Sequence, residues 1–258
     1  MNSTLEWSLE FDQMWNNITS NQAPGLTEHE KSIFLTRAQD GLTLDFFSRR
    51  TDPLGLGFDG NEVRQSDFHN LIVTFSSQVP TSVTFGPGST PAGVSNQSSF
   101  FLTMPDDILV ILNEEILSSG SGTLQVKPLS YKEYERLMSR PYKYPPKGQA
   151  WRLDVGVAPV FNTSTTLETK RIVEIITRIS SSMSYYLRYV KNPDPIILPD
   201  VQGDTDVSHE NKLPVNGSIV PATCKLPSHL HQQILNRAVM LAKVAWSDPA
   251  ALQQRTNG

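Results

Sequence analysis

The chain has 258 residues, enough for one large domain or two small ones and for a sizeable buried core. Its 22 Lys and Arg against 26 Asp and Glu leave a net charge of −4, which excludes broad electrostatic attraction to nucleic acid or anionic lipid. A single cysteine, Cys224, forms no internal disulfide, and no apolar run approaches the ~20 residues of a membrane helix, so no membrane partner is expected. The opening Met1–Trp7 lacks the basic and then apolar layout of a secretory signal, and intracellular origin is the expectation.

The first predicted element is a helical hairpin centred on Glu10–Asp40. Phe11, Met14, Trp15 and Ile18 recur at helical spacing, so they share one face of a first helix that ends near Asn21. Pro24 and Gly25 have the backbone preferences of the two central positions of a type II turn. Thr27 and Glu30 form a capping box, and Leu35, Ala38, Leu42 and Phe46 make a stripe down the second helix with Phe34 beside it. Gly55, Gly57 and Gly60 then match a dinucleotide-binding spacing, but a helix precedes them, a strand-like run follows, and no acidic residue lies at ribose distance. A surface loop is the reading.

From Asp67 the pattern becomes β-rich. Strands are expected at Leu71–Phe75, Ser82–Phe85, Phe100–Met104, Ile108–Asn113 and Thr123–Lys127, with a hairpin tip at Ser118–Gly122 and a long loop at Gly86–Ser99. Ser130 caps a short helix, Tyr131–Ser139. Tyr142 to Lys147 interleaves aromatics, prolines and cations in an extended arm that either stacks on bases or sugars or lies on its own or a neighbouring subunit. Trp151–Phe161, Arg171–Thr177 and Tyr185–Val190 complete the sheet, and Ile196–Leu198 reads as an edge strand. The acidic Asp200–Asn211 lacks the alternation of a calcium loop. A packing helix runs from Ser228 to about Trp246, with Leu230, Ile234, Ala238, Leu241 and Ala245 on one stripe and Leu235, Val239, Ala242 and Trp246 on the next.

The result is an α+β chain read as one domain, 1–258. A hairpin at 1–50 and a C-terminal helix at 227–247 pack beside a mainly antiparallel region at 67–200 that includes the short helix at 131–139. No catalytic residue, cofactor site or metal site is expected. The five histidines lack diagnostic settings, Cys224 has no neighbouring charge to activate it and is expected to be inertly buried, and the known catalytic motifs are absent.

Four blocks carry a resemblance. Ser20–Gln39, Tyr131–Leu153, Cys224–Ala245, and Arg188–Val190 with Asp194–Leu198 resemble a structural protein family of crAss-like, short-tailed bacteriophages that infect Bacteroidales. The resemblance implies a head-to-tail connector or tail ring subunit without enzyme activity. It implies a homo-oligomeric ring of about twelve copies, of the closed kind that repeated head-to-tail contacts build. It also implies the portal and other tail ring proteins as partners, passing contact with genomic DNA in the channel, assembly in the host cytoplasm and a place in the virion. Interface residues are expected among Trp15, Phe34, Tyr142, Tyr144 and Trp151, with Trp15 or Phe34 facing the C-terminal helix. The alternatives are a carbohydrate- or receptor-contacting tail component using Tyr142, Tyr144 and Trp151, and a hydrolase using converging carboxylates.

Overall fold

The computed structural model describes residues 3–18, 25–47, 62–79, 83, 85–86, 99–118, 122–139, 144–162, 166–178, 183–199 and 214–247. The three-glycine motif, the loop after Gly86, the acidic 200–211 segment and Tyr142 lie outside them, as do Pro24 and most of the 118–122 tip. The chain forms two compact units, Met1–Leu71 with Asn192–Gly258, and Ile72–Lys191. Among the described residues no helix is long and apolar enough to cross a membrane.

The first unit is helical. Helix α1 (Thr4–Ile18) begins earlier than the Phe11 stripe suggests. Ser3 and Glu6 form a capping box of their own, Ser3 Oγ accepting from Glu6 N–H at 3.2 Å and Glu6 Oε2 accepting from Ser3 N–H at 3.3 Å. Its buried stripe is Trp7, Phe11 and Trp15, spaced i, i+4 and i+8. Helix α2 (Glu28–Phe47) starts at the expected Thr27–Glu30 box, with bonds of 3.3 and 2.9 Å. Near its far end, Phe46 and Phe47 meet Phe68 at ring-centroid distances of 5.2 and 5.3 Å. Phe68 ends helix α3 (Glu62–Phe68), a short helix that the sequence reading did not assign, ahead of the expected strand. Helix α2 precedes the three glycines where a dinucleotide fold needs a strand, and no acidic residue lies at ribose distance.

Helix α2 buries Leu35 and Ala38, but also a polar row, Ser32, Thr36 and Gln39. That row holds an extended segment 155 to 166 residues away in sequence. Thr36 Oγ1 accepts from Ile196 N–H at 3.1 Å and donates to its carbonyl at 3.2 Å. Ser32 Oγ accepts from Leu198 N–H at 2.9 Å, and Gln39 Nε2 donates to the Asp194 carbonyl at 2.8 Å. Ile197, between them, exchanges backbone bonds of 2.9 and 3.1 Å with Ala222. Residues 196–198, expected as an edge strand, are thus held by helix side chains and one bridge. Buried backbone groups need partners, and side chains supply them here as a ladder would. Thr36→Val is expected to destabilise the protein by about 1–3 kcal/mol, because both Ile196 groups lose their partner. Thr43→Val, whose hydroxyl bonds only the Gln39 carbonyl at 2.9 Å, should cost less than about 1 kcal/mol. Urea unfolding of the two variants side by side checks the difference.

Helix α5 (Ser228–Ser247) packs against α1 and α2 through Leu230, Ile234, Leu235, Ala238, Val239 and Ala242. Leu241 and Ala245, assigned to its packing stripe from sequence, are exposed, and the Trp246 side chain lies outside the described residues. Gly41 on α2 leaves room for Arg237, which crosses from α5 to pair with Asp45; a Cβ there would meet the guanidinium at 2.7 Å.

The second unit is a seven-stranded sheet of order β1-β7-β3-β4-β5-β6-β2. Its strands are β1 (Ile72–Val79), β2 (Ser99–Met104), β3 (Ile108–Ser118), β4 (Gly122–Leu129), β5 (Gln149–Asn162), β6 (Thr166–Ile176) and β7 (Met183–Lys191). All pairs are antiparallel except β4 with β5. A parallel pair needs a crossover, and helix α4 (Tyr131–Met138), capped by Ser130 as expected, lies in it. Most strands outrun their predicted lengths; of the expected strand Ser82–Phe85 only Val83 and Phe85 are among the described residues, and Phe85 bridges to Val160. Pro128 lies beyond the β3–β4 pairing, and Pro159, beyond the β4–β5 pairing, has its carbonyl accept from Gly86 N–H at 2.9 Å. Gly156, at φ +105°, takes the bulge in β5.

The sheet curls. Tyr185 on β7 and Met104 on β2 stand five strands apart in the order, which would separate them by about 24 Å in a flat sheet. Their hydroxyl and sulfur atoms lie 3.9 Å apart. The concave face is lined by Leu102, Ile116, Leu124, Val173, Ile175 and Leu187. The opposite face of β4, β5 and β6 is covered by α4, with Tyr134 edge-on to Trp151 at 6.3 Å over Leu153 and Ile176.

Candidate assembly surfaces

The groups that could carry chemistry are tied into structure. His231 is buried, meets Trp7 at a tilt of 50° with ring centroids 5.0 Å apart and has Nε2 2.8 Å from the Leu226 carbonyl; burial holds its pKa below the ordinary value. His229 Nε2 lies 3.0 Å from Asp67. Burial pushes the Cys224 thiol up to about 11, the reverse of an activated nucleophile. No three His, Cys, Asp or Glu side chains among the described residues stand close enough together to hold a metal.

Two charged clusters are tied into the fold. On α1 and α2, Lys31 Nζ donates to Asp12 at 2.7 Å, Glu28 at 2.9 Å and Ser8 at 3.1 Å, and Ser8 Oγ donates to Glu28 at 2.8 Å. Burial depresses the Lys31 pKa, yet the bonds and charges of Asp12 and Glu28 outweigh it and the net shift is upward. In the curled sheet, Glu114 pairs with Arg152 and accepts from the Tyr185 hydroxyl at 2.7 Å.

What the fold leaves outside is more distinctive. On α1, Leu5 and Leu9 are each 53% exposed beside Glu6 and Glu10, about 200° round the helix from the buried Trp7 and Phe11. Three carboxylates and no cation lie on that helix. On α5, Met240 and Val244 stand out from the face opposite Ala238 and Ala242. On α4, Tyr131 is 41% exposed in a row with Lys132, Glu135 and Arg136. Beyond it, the Arg178 guanidinium lies 5.3 Å over the ring of Tyr144, itself 45% exposed.

The residues singled out from sequence divide accordingly. Trp15 is a core residue of the helical unit, and Trp151, 4% exposed, is a core residue under α4. Phe34 is half-buried, Tyr144 is at the surface with one face occupied by Arg178, and Tyr142 lies outside the described residues. Trp7 makes an aromatic contact from the first helix to His231 on the C-terminal helix. Leu5, Leu9, Met240 and Val244 escaped the sequence reading. Their signal was a second i, i+4 apolar pair on the wrong side of a helix that already had a full stripe.

Charge is divided too. The sheet unit carries 12 Lys and Arg against 9 Asp and Glu, and the helical unit 10 against 17. Six of the sheet unit's cations fall between Lys127 and Lys147, along the crossover that holds α4.

Enclosed acid–base chemistry is missing among these residues, while exposed apolar and charged rows are present, a distribution suited to assembly. Comparison with known proteins agrees. The chain is 35% identical over 241 residues to "Ring protein 4/5" of Bacteroides phage crAss001, covering 93% of this chain and 92% of that protein. It is 30% identical over 247 residues to "Ring protein 3" of the same phage, covering 93% and 94%. A family described as phage tail ring protein 3/4 matches residues 1–254, nearly every residue of both units, and it is to this family that the chain belongs.

Proposed function

We propose that the chain assembles as a closed homo-oligomeric ring of about twelve copies, built from repeated head-to-tail contacts. In this reading the ring stacks on homologous rings at the head-to-tail connector, next to the portal, and DNA passes through its channel. The part is structural, a component of the virion and not an enzyme. The observation that carries the reading is the match to two different ring proteins of one phage over more than nine-tenths of each. One fold that serves two rings of a virion is suited to stacking ring on ring. The net charge of −4 supports a channel that lets DNA slide, because gripping it takes a strong cationic surface.

Mass measurement of the purified protein, alone and mixed with portal rings, tests the proposal. A closed oligomer that joins the portal directly or through a homologous ring is the expected result. A strict monomer under every condition would overturn it.

A further inference from the structure

Helices α1 and α4 present matched surfaces. α1 offers a row of two leucines and two carboxylates, Leu5, Glu6 and Leu9 exposed and Glu10 half-buried, on a helix without a cation. α4 offers Tyr131, Lys132 and Arg136, in the stretch that concentrates the basic charge of the sheet unit. Each row is outward-facing in its own unit, where Trp7, Phe11 and Trp15 fill the buried side of α1 and Tyr134 that of α4.

We infer that α1 of one subunit docks on α4 of the next copy of this chain, its leucines against Tyr131 and its carboxylates against Lys132 and Arg136. This rests on the ring proposed above. A ring needs two different, complementary patches on one chain, and opposite charge beside apolar surface steers and orders such a contact. Duplex DNA is the competing occupant of the α4 row. Glu135 within that row disfavours it, as does the modest excess of cations in the sheet unit, and it would leave the leucine and carboxylate row of α1 without a use.

A charge exchange on the full chain tests the inference. K132E/R136E reverses the basic row, and E6Q/E10K neutralises one acidic charge and reverses the other, leaving the α1 row positive while keeping a side chain at position 6 that still closes the Ser3 box. Circular dichroism confirms folding, and mass photometry reads assembly. Each double variant should raise the protein concentration for half-assembly at least about tenfold, since like charges now face one another. Mixing the two variants, or combining all four changes in one chain, should recover most of that loss. If the parent assembles and either double variant assembles equally well, or if exchange brings no recovery, the inference fails while the ring stands. A parent that never assembles removes both. If K132E/R136E assembles normally but loses binding to a short DNA duplex, the α4 row is a nucleic-acid face and the inference is overturned.

Discussion

Replacing Lys31 by Ala should destabilise the helical unit by about 3 kcal/mol, near the lower end of the cost of breaking a buried ion pair, because Asp12 is still partly exposed. Lys31 is 3% exposed and its ammonium ties α1 to α2 through Asp12, Glu28 and Ser8. Without it Glu28 keeps one buried oxygen that already has no partner among the described residues, and the two carboxylates repel each other. Lys31→Met, which restores most of the packing volume, should recover little, since the missing charge is the cause. Chemical unfolding of the two variants checks this. The pH dependence has a defined sign. The folded-state pKa of Lys31 is raised above 10.5, so the stability it contributes is fully present below that pH and is lost as pH rises through the folded-state value.

The second large effect is in the sheet. Arg152→Met should cost about 3–5 kcal/mol, because Glu114 then loses its ion-pair partner inside the curl and keeps the Tyr185 hydroxyl as its close contact. Removing Glu114 as well should recover much of the loss but leave that hydroxyl without its acceptor. The triple variant E114M/R152M/Y185F, with no charge or donor left in the cluster, should come within about 1–2 kcal/mol of the parent, as buried ion pairs replaced by well-packed apolar groups do. The three changes share contacts, so their effects are strongly non-additive. A triple variant as unstable as Arg152→Met would mean that packing, not charge, governs the site.

Local grammar made much of this fold legible. The Thr27–Glu30 box, the Ser130 cap and the apolar periodicity of the two long N-terminal helices and α5 all lie within a few residues of the features they set, and they appear in the structure where the sequence puts them. The Ser3–Glu6 box obeys the same rule and was equally readable. Long-range partners were not. Ser32, Thr36 and Gln39 look like a solvated helix face until the 194–198 backbone is laid against them, and nothing local announces that pairing. The α3 helix has only seven residues, fewer than two full turns, and carries too little periodicity to separate helix from strand. The parallel β4–β5 pair and the curl that brings Tyr185 to Met104 are properties of strand order, which alternation along one strand does not encode.

The candidate surfaces follow the same division. Aromatics drew attention as contacts, yet Trp15 and Trp151 are the residues a small core most needs, and they went inside. The exposed rows on α1 and α4 were visible only after the buried face of each helix was known, because an interface residue on an amphipathic helix is defined by what it is not packed against.

Electron microscopy of the phage particle tests the central claim most directly. The claim predicts density for a closed ring in the tail, stacked with a homologous ring, into which each of the two units fits and in which α1 of one subunit meets α4 of the next. Particles whose tail rings contain no copy of this chain would contradict it.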